Sequence, residues 1–146
     1  MLKKICFVAL ICLISKASFA TKEYDACYKT AQTDDEVALC MKAETARLIK
    51  DIQSIYLTLS THDQTKAWNN GNGLSSGNLK DMYNHWIAYR NRYCSLFQKA
   101  SENVFGTPDF HKERCLLNLT TDHLDLMRAV LINANTGSEE SDLDYE

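Results

Sequence analysis

The stretch WIAYRNRYC, Trp86 to Cys94, sets an arginine among apolar and aromatic side chains. Read as a helix, it places Arg90 one turn from Trp86 and one turn from Cys94. A guanidinium in that position has two uses. Paired with a buried carboxylate it fixes how two helices meet, and lining a groove it accepts a carboxylate from a partner. Cysteine is the other reactive type, present six times, and its spacing contains no C-x-x-C pair of the kind that holds zinc. The four histidines, His62, His85, His111 and His123, stand singly, and the chain has no H-E-x-x-H, no G-x-S-x-G and no P-loop. His85, beside Trp86, is the first histidine to inspect for catalysis, although a surface histidine explains it as well. The residue pattern predicts no catalytic residue, no metal site and no cofactor.

The N-terminus decides what the cysteines do. Lys3 and Lys4 precede the apolar run ICFVALICLI, and SKASFA places Ser18 and Ala20 at the −3 and −1 positions of a cleavage site. Residues 1–20 therefore read as a Sec signal peptide, with an apolar run shorter than the roughly 20 residues a membrane span needs. A retained anchor is the alternative. Neither Cys12 nor Cys27 follows a small-residue lipoprotein signal at the end of that run. Export to the periplasm or beyond puts Cys27, Cys40, Cys94 and Cys115 in an oxidising compartment, where four cysteines form two disulfides and leave no free thiol nucleophile. Removing residues 1–20 takes away three lysines, so 13 basic face 19 acidic side chains, a net charge of −6. Five of those acids lie after residue 138; without them the balance is −1. Nothing in a nearly neutral body suggests nucleic-acid binding, which wants a basic patch.

These residues need a scaffold, and the pattern gives helices. The sole proline is Pro108, glycines cluster at 71–77, and no segment alternates like a strand. A short helix over Tyr24–Gln32 ends at TDDE, where Thr33 and Glu36 form a capping box. The next helix runs from about Asp34 to Ser60, its apolar stripe Val37, Met41, Leu48, Ile52, Ile55, Leu59 interrupted by Glu44. A third runs from about Asn78 to Asn103, with Met82, Tyr83, Trp86, Tyr93, Cys94 and Phe97 facing inward beside Arg90. After the GTPD break a fourth runs from Pro108 to Asn133. The expected fold is all-α: a small disulfide-linked bundle of three long helices and one short N-terminal helix over 21–134. Residues 135–146 are an acidic tail with too few apolar side chains to pack.

If the second and third helices run antiparallel, Glu44 falls opposite Arg90, each being the charged break in its own stripe. The expectation is a partly buried Glu44–Arg90 ion pair, with Asp51 as a second acceptor. Tyr56, Trp86 and Tyr93 are the expected core aromatics. Cys27 with Cys40 and Cys94 with Cys115 each flank a turn and so fall level in a helical hairpin; antiparallel register also allows Cys40–Cys94 with Cys27–Cys115. The loop NNGNGLSSGN, 69–78, is the most exposed stretch, and Asn70, Asn72 and Ser76 are its candidate partner contacts; a plain flexible connector has the same composition. The NLT at Asn118 has the form of a glycosylation sequon but falls inside a helix.

The order C27YKTAQTDDEVALC40, then Tyr56, W86IAYR90NRYC94 and C115LLNLTTDHLDLM resembles the LprI N-terminal domain-like family, small exported bacterial proteins of which some are described as lysozyme inhibitors. The resemblance spans roughly Cys27 to Leu131. This chain departs from it at Ile52-Gln53, at Asn84-His85, and near His123, where the family commonly has arginine. The resemblance implies a periplasmic or secreted binding protein that inhibits lysozyme or another cell-wall hydrolase and has no enzymatic activity. The alternative is an exported interaction or immunity-type protein with a different protein partner. Either way the partner is a protein, with no nucleic acid and no membrane contact after signal cleavage.

Overall fold

The computed structural model describes residues 21–61 and 76–136, and within them every regular element is an α-helix: α1 Lys22–Thr30, α2 Asp34–Thr61, α3 Ser76–Ala100 and α4 Pro108–Thr136. The expected bundle of three long helices and one short one is the fold found. The expected signal peptide lies outside the described residues, as do Asn70 and Asn72 and residues 137–146 of the acidic tail.

Local chemistry sets the helix starts. Thr21 caps α1, its hydroxyl oxygen accepting from the Tyr24 amide at 3.2 Å. At α2 the Glu36 amide donates to Thr33 Oγ1 at 3.2 Å, while Glu36 Oε2 accepts from the Thr33 and Gln32 amides at 3.3 and 2.6 Å. That is the capping box in full, with Asp34 and Asp35 beside the positive end of the helix dipole. Thr107 caps α4 through the Phe110 amide at 3.2 Å, and Pro108 takes the first helical position, where its missing N–H costs nothing. α3 begins at Ser76, two residues before the expected N-cap, so Asn78 lies in its first turn. It ends at Ala100, and residues 101–103 form turns rather than helix.

α4 is the central element, packing most extensively on α2 and then on α3, whereas α2 and α3 touch each other least. α2 and α4 run parallel: Thr107 bonds Asp35 at one end, and Tyr56 meets His123 well along both. α3 returns antiparallel to them. The core joins Leu48, Ile52, Ile55, Tyr56 and Leu59 of α2 to Leu79 of α3 and Leu124, Met127 and Ala134 of α4. Disulfides Cys27–Cys40 and Cys94–Cys115 tie α1 to α2 and α3 to α4, each across a turn at the same end of the bundle. Closing chain segments of 13 and 21 residues in this way restricts the unfolded chain by roughly 3 kcal/mol each.

Candidate partner-binding surface

Arg90 is buried, at 5% exposure, but its partners are not the expected ones. Its Nη1 donates to Thr120 Oγ1 at 3.0 Å, and Nε and Nη2 donate to Asn91 Oδ1 at 3.2 and 2.8 Å. Thr120, itself fully buried, donates its hydroxyl hydrogen bond to the Leu116 carbonyl at 2.6 Å. The Arg90 guanidinium carbon lies 5.2 Å from the Trp86 ring centroid, a cation–π contact. The Glu44–Arg90 pair is therefore corrected. Antiparallel register between α2 and α3 does hold where Gln53 donates to the Tyr83 hydroxyl. At the level of Arg90, however, α4 supplies Thr120, and Glu44 is neutralised on its own helix. Arg47 donates to Glu44 through Nε at 2.9 Å and Nη2 at 2.7 Å, Thr21 adds a hydroxyl at 3.1 Å, and Asp51 takes Arg47 Nη1 at 2.8 Å. Burial alone would raise the Glu44 carboxyl; the Arg47 and Thr21 contacts outweigh it and hold the carboxyl below its ordinary value. Burial lowers Arg90, partly offset by Tyr83 and Glu113.

Around Arg90 stands a network of rings. His123 stacks on Trp86 with centroids 4.0 Å apart and planes 12° apart, and its Nε2 lies 3.3 Å from the Tyr56 hydroxyl. Tyr83 meets Tyr56 edge-on at 5.4 Å. Burial, and then the charge of Arg90, depress His123 to about 4, so it is neutral at pH 7. Tyr56 and Trp86 are thus interior residues, Tyr56 fully and Trp86 in part. Tyr93 is corrected: it is 46% exposed, and Met82 and Phe97 are exposed with it. The buried stripe of α3 is Leu79, Tyr83, Trp86, Arg90, Cys94, spaced four, three, four and four. Met82 and Tyr93 each lie one residue before a member of that stripe, about 100° around the helix. Ser76 opens α3 at the edge of the described chain.

With Arg90, Trp86 and Tyr56 turned inward, two features stand out on the surface of the described residues. One is a trough along α4. Cavities of about 320, 380 and 430 Å³ adjoin one another, and all three share Asn118. Tyr24 and Tyr28 of α1 form one wall and Tyr93 and Phe97 of α3 the other, with Phe110, Arg114, Leu117 and Asn118 between them. The Arg114 guanidinium lies 5.3 Å from the Phe110 ring centroid.

The other feature is the turn between α3 and α4. Phe105 at its tip is 96% exposed, and Val104 beside it 55%. The backbone of this turn is held on both sides. The Val104 amide donates to the Ser101 carbonyl at 3.0 Å, His111 Nε2–H donates to the Phe105 carbonyl at 2.9 Å, and Thr107 Oγ1 donates to Asp35 Oδ1 at 3.0 Å. Gly106 adopts φ +107°, a left-handed conformation that side chains disfavour. His111 is buried, and its Nδ1 has no hydrogen-bond partner. Neither feature was singled out from sequence, although Val104-Phe105 is an apolar pair placed beyond any helical stripe.

Among the described residues no group of three or more His, Cys, Asp and Glu side chains could hold a metal ion, and no helix is long and apolar enough to cross a membrane. The described residues form a helical frame cross-linked at one end and carrying exposed aromatics. The sequence model of the family described as lysozyme inhibitor LprI matches residues 25–125, and the chain belongs to that family. No curated protein and no solved structure matches it.

Proposed function

We propose that this protein is an exported inhibitor of a lysozyme or a similar cell-wall hydrolase, acting as a folded binding protein and not as an enzyme. The family match over residues 25–125 carries this reading. The physical organisation supports it. An inhibitor of a cleft enzyme must present a pre-ordered surface, because ordering a contact segment at the moment of binding subtracts from affinity. Here two disulfides and a capping box lie at one end of the bundle, beside the turn that carries the most exposed aromatic side chain. The leader-like residues 1–20 and the paired cysteines fit a protein that leaves the reducing cytoplasm.

The test uses residues 21–146 with both disulfides formed. The protein is added in increasing amounts to lysozymes of several structural types, and clearing of a bacterial cell-wall suspension is followed. Inhibition of at least one type, saturating near one-to-one, is expected. Undiminished clearing with every type would overturn the proposal, and a pull-down from an extract of cell-wall enzymes would then identify a different protein partner.

A further inference from the structure

We infer that the turn over residues 102–107 is the element that enters the partner, with Phe105 as its anchor, and that the receiving site is an apolar recess in a cationic protein surface. The inference rests on the inhibitor reading and names the surface that reading leaves open.

Shape is the first argument. The cleft of a cell-wall hydrolase is concave, so what fills it must project. The trough along α4 is itself concave, whereas the α3–α4 turn projects from the end of the bundle. The second argument is the state of Phe105. At 96% exposure, Phe105 is covered by nothing among the described residues. On a loose loop the whole segment could fold back against the bundle, but here the backbone that carries Phe105 is held in place. The carbonyl of Phe105 itself is held by His111, Gly106 is fixed at φ +107° against the His111 and Phe110 side chains, and Thr107 is tied to α2 through Asp35. The Cys94–Cys115 disulfide closes the hairpin that bears the turn. An aromatic presented to water from an ordered backbone is the arrangement expected of an interface anchor, since the backbone's ordering cost has been met before the partner arrives.

Charge is the third argument. Residues 34–36 and 99–112, which meet at this end, hold five acidic and two basic side chains, a net −3, although residues 21–136 together sum to −1. Asp35, Glu36, Glu102 and Asp109 are exposed there. An apolar tip on a net-negative end of the bundle is complementary to an apolar recess in a cationic surface, and the excess negative charge speeds encounter with such a partner.

Phe105 touches no core residue, so its replacement leaves folding intact and the test is clean. Phe105→Ala, Arg114→Ala and, as a surface control, Leu126→Ala are prepared in the disulfide-bonded chain 21–146, and each is checked for an unchanged melting curve. Inhibition constants are then measured against a lysozyme that the unsubstituted protein inhibits. Phe105→Ala is expected to weaken inhibition about 30-fold or more, the loss typical of a central anchor, while Leu126→Ala stays at the unsubstituted value. The association rate should fall as salt is raised. Full inhibition by Phe105→Ala overturns the inference and leaves the inhibitor reading standing, as does loss of inhibition in Arg114→Ala alone, which would move the contact to the trough. If the unsubstituted protein inhibits no lysozyme, inference and reading fall together.

Discussion

Replacing Arg90 in two ways distinguishes a buried cation held by neutral groups from one held by a carboxylate. Arg90→Ala removes a long, buried side chain from between Trp86 and Thr120 and leaves a void, which costs about 3 kcal/mol on the scale of large-to-small core changes. Arg90→Met keeps most of the volume and removes the charge. What that leaves unpaired can be counted. Thr120 still donates to the Leu116 carbonyl at 2.6 Å, and Asn91 is exposed, so its carbonyl oxygen turns to water. No carboxylate hydrogen-bonded to Arg90 is orphaned, since Glu113 acts on it only through charge and faces Lys112 and Lys42 as well, and the cost of keeping a guanidinium out of water disappears. The net loss should be within about 1 kcal/mol. Had Arg90 been salt-bridged to Glu44, the methionine would strand a buried carboxylate at about 3–5 kcal/mol. For a body of this size each kcal/mol moves Tm by about 4 °C. Thermal and urea unfolding at pH 7, disulfides intact, should therefore show Arg90→Ala about 12 °C lower and Arg90→Met less than about 4 °C lower, with the urea m-value unchanged. A methionine variant as unstable as the alanine variant would refute the neutral-partner account.

His123 gives a pH dependence of defined sign. Its folded pKa, about 4, lies below the ordinary 6.5, so between these values the unfolded chain binds a proton that the folded chain does not. Stability is fully present above pH 6.5 and declines as pH falls towards 4; full burial would make this about 3 kcal/mol, and the half-buried, solvent-screened ring reduces it to about 1–2. His123→Phe should flatten that part of a stability-versus-pH curve, and an unchanged slope would contradict the assignment. Glu44 acts at lower pH: its depressed carboxyl contributes above the ordinary carboxylate value, and that contribution is lost on further acidification, a loss Glu44→Gln should remove. Gly106→Ala forces a Cβ at φ +107° to 3.1 Å from His111 Nε2, and should lower Tm by about 4–8 °C. Replacing both Cys94 and Cys115 by serine should cost about 3 kcal/mol in urea unfolding, because it frees a segment of 21 residues in the unfolded chain.

The helices were legible because their signals are local. The Thr33–Glu36 box, Pro108 and the three-and-four spacing of Leu48, Ile52, Ile55 and Leu59 act within one or two turns, and tertiary packing did not override them. The interior polar contacts were not legible, because they depend on which helix lies between which. Glu44 and Arg90 are level in a two-helix drawing, but α4 occupies the space in front of Arg90 and Arg47 reaches Glu44 from one turn away. Tyr93 was misplaced for a related reason. An aromatic one position off the buried stripe looks the same in sequence as one on it, and only the partner helix decides which of Tyr93 and Cys94 is covered. The surface was the least legible part. Phe105 in the sequence is an ordinary apolar residue before a glycine; its significance comes from a backbone fixed by His111 and Asp35, residues six and seventy positions away.

The central claim is that this protein acts on the hydrolase itself and not on the wall that the hydrolase attacks. A soluble chromogenic oligosaccharide separates the two, because no wall is present for the protein to coat. Lysozyme is titrated with residues 21–146 and release of the chromophore is recorded. The account predicts that hydrolysis falls along a curve with its break near one protein per enzyme, for the same lysozyme whose clearing of cell walls is inhibited. Undiminished hydrolysis of the soluble substrate at a several-fold excess of the protein would contradict it.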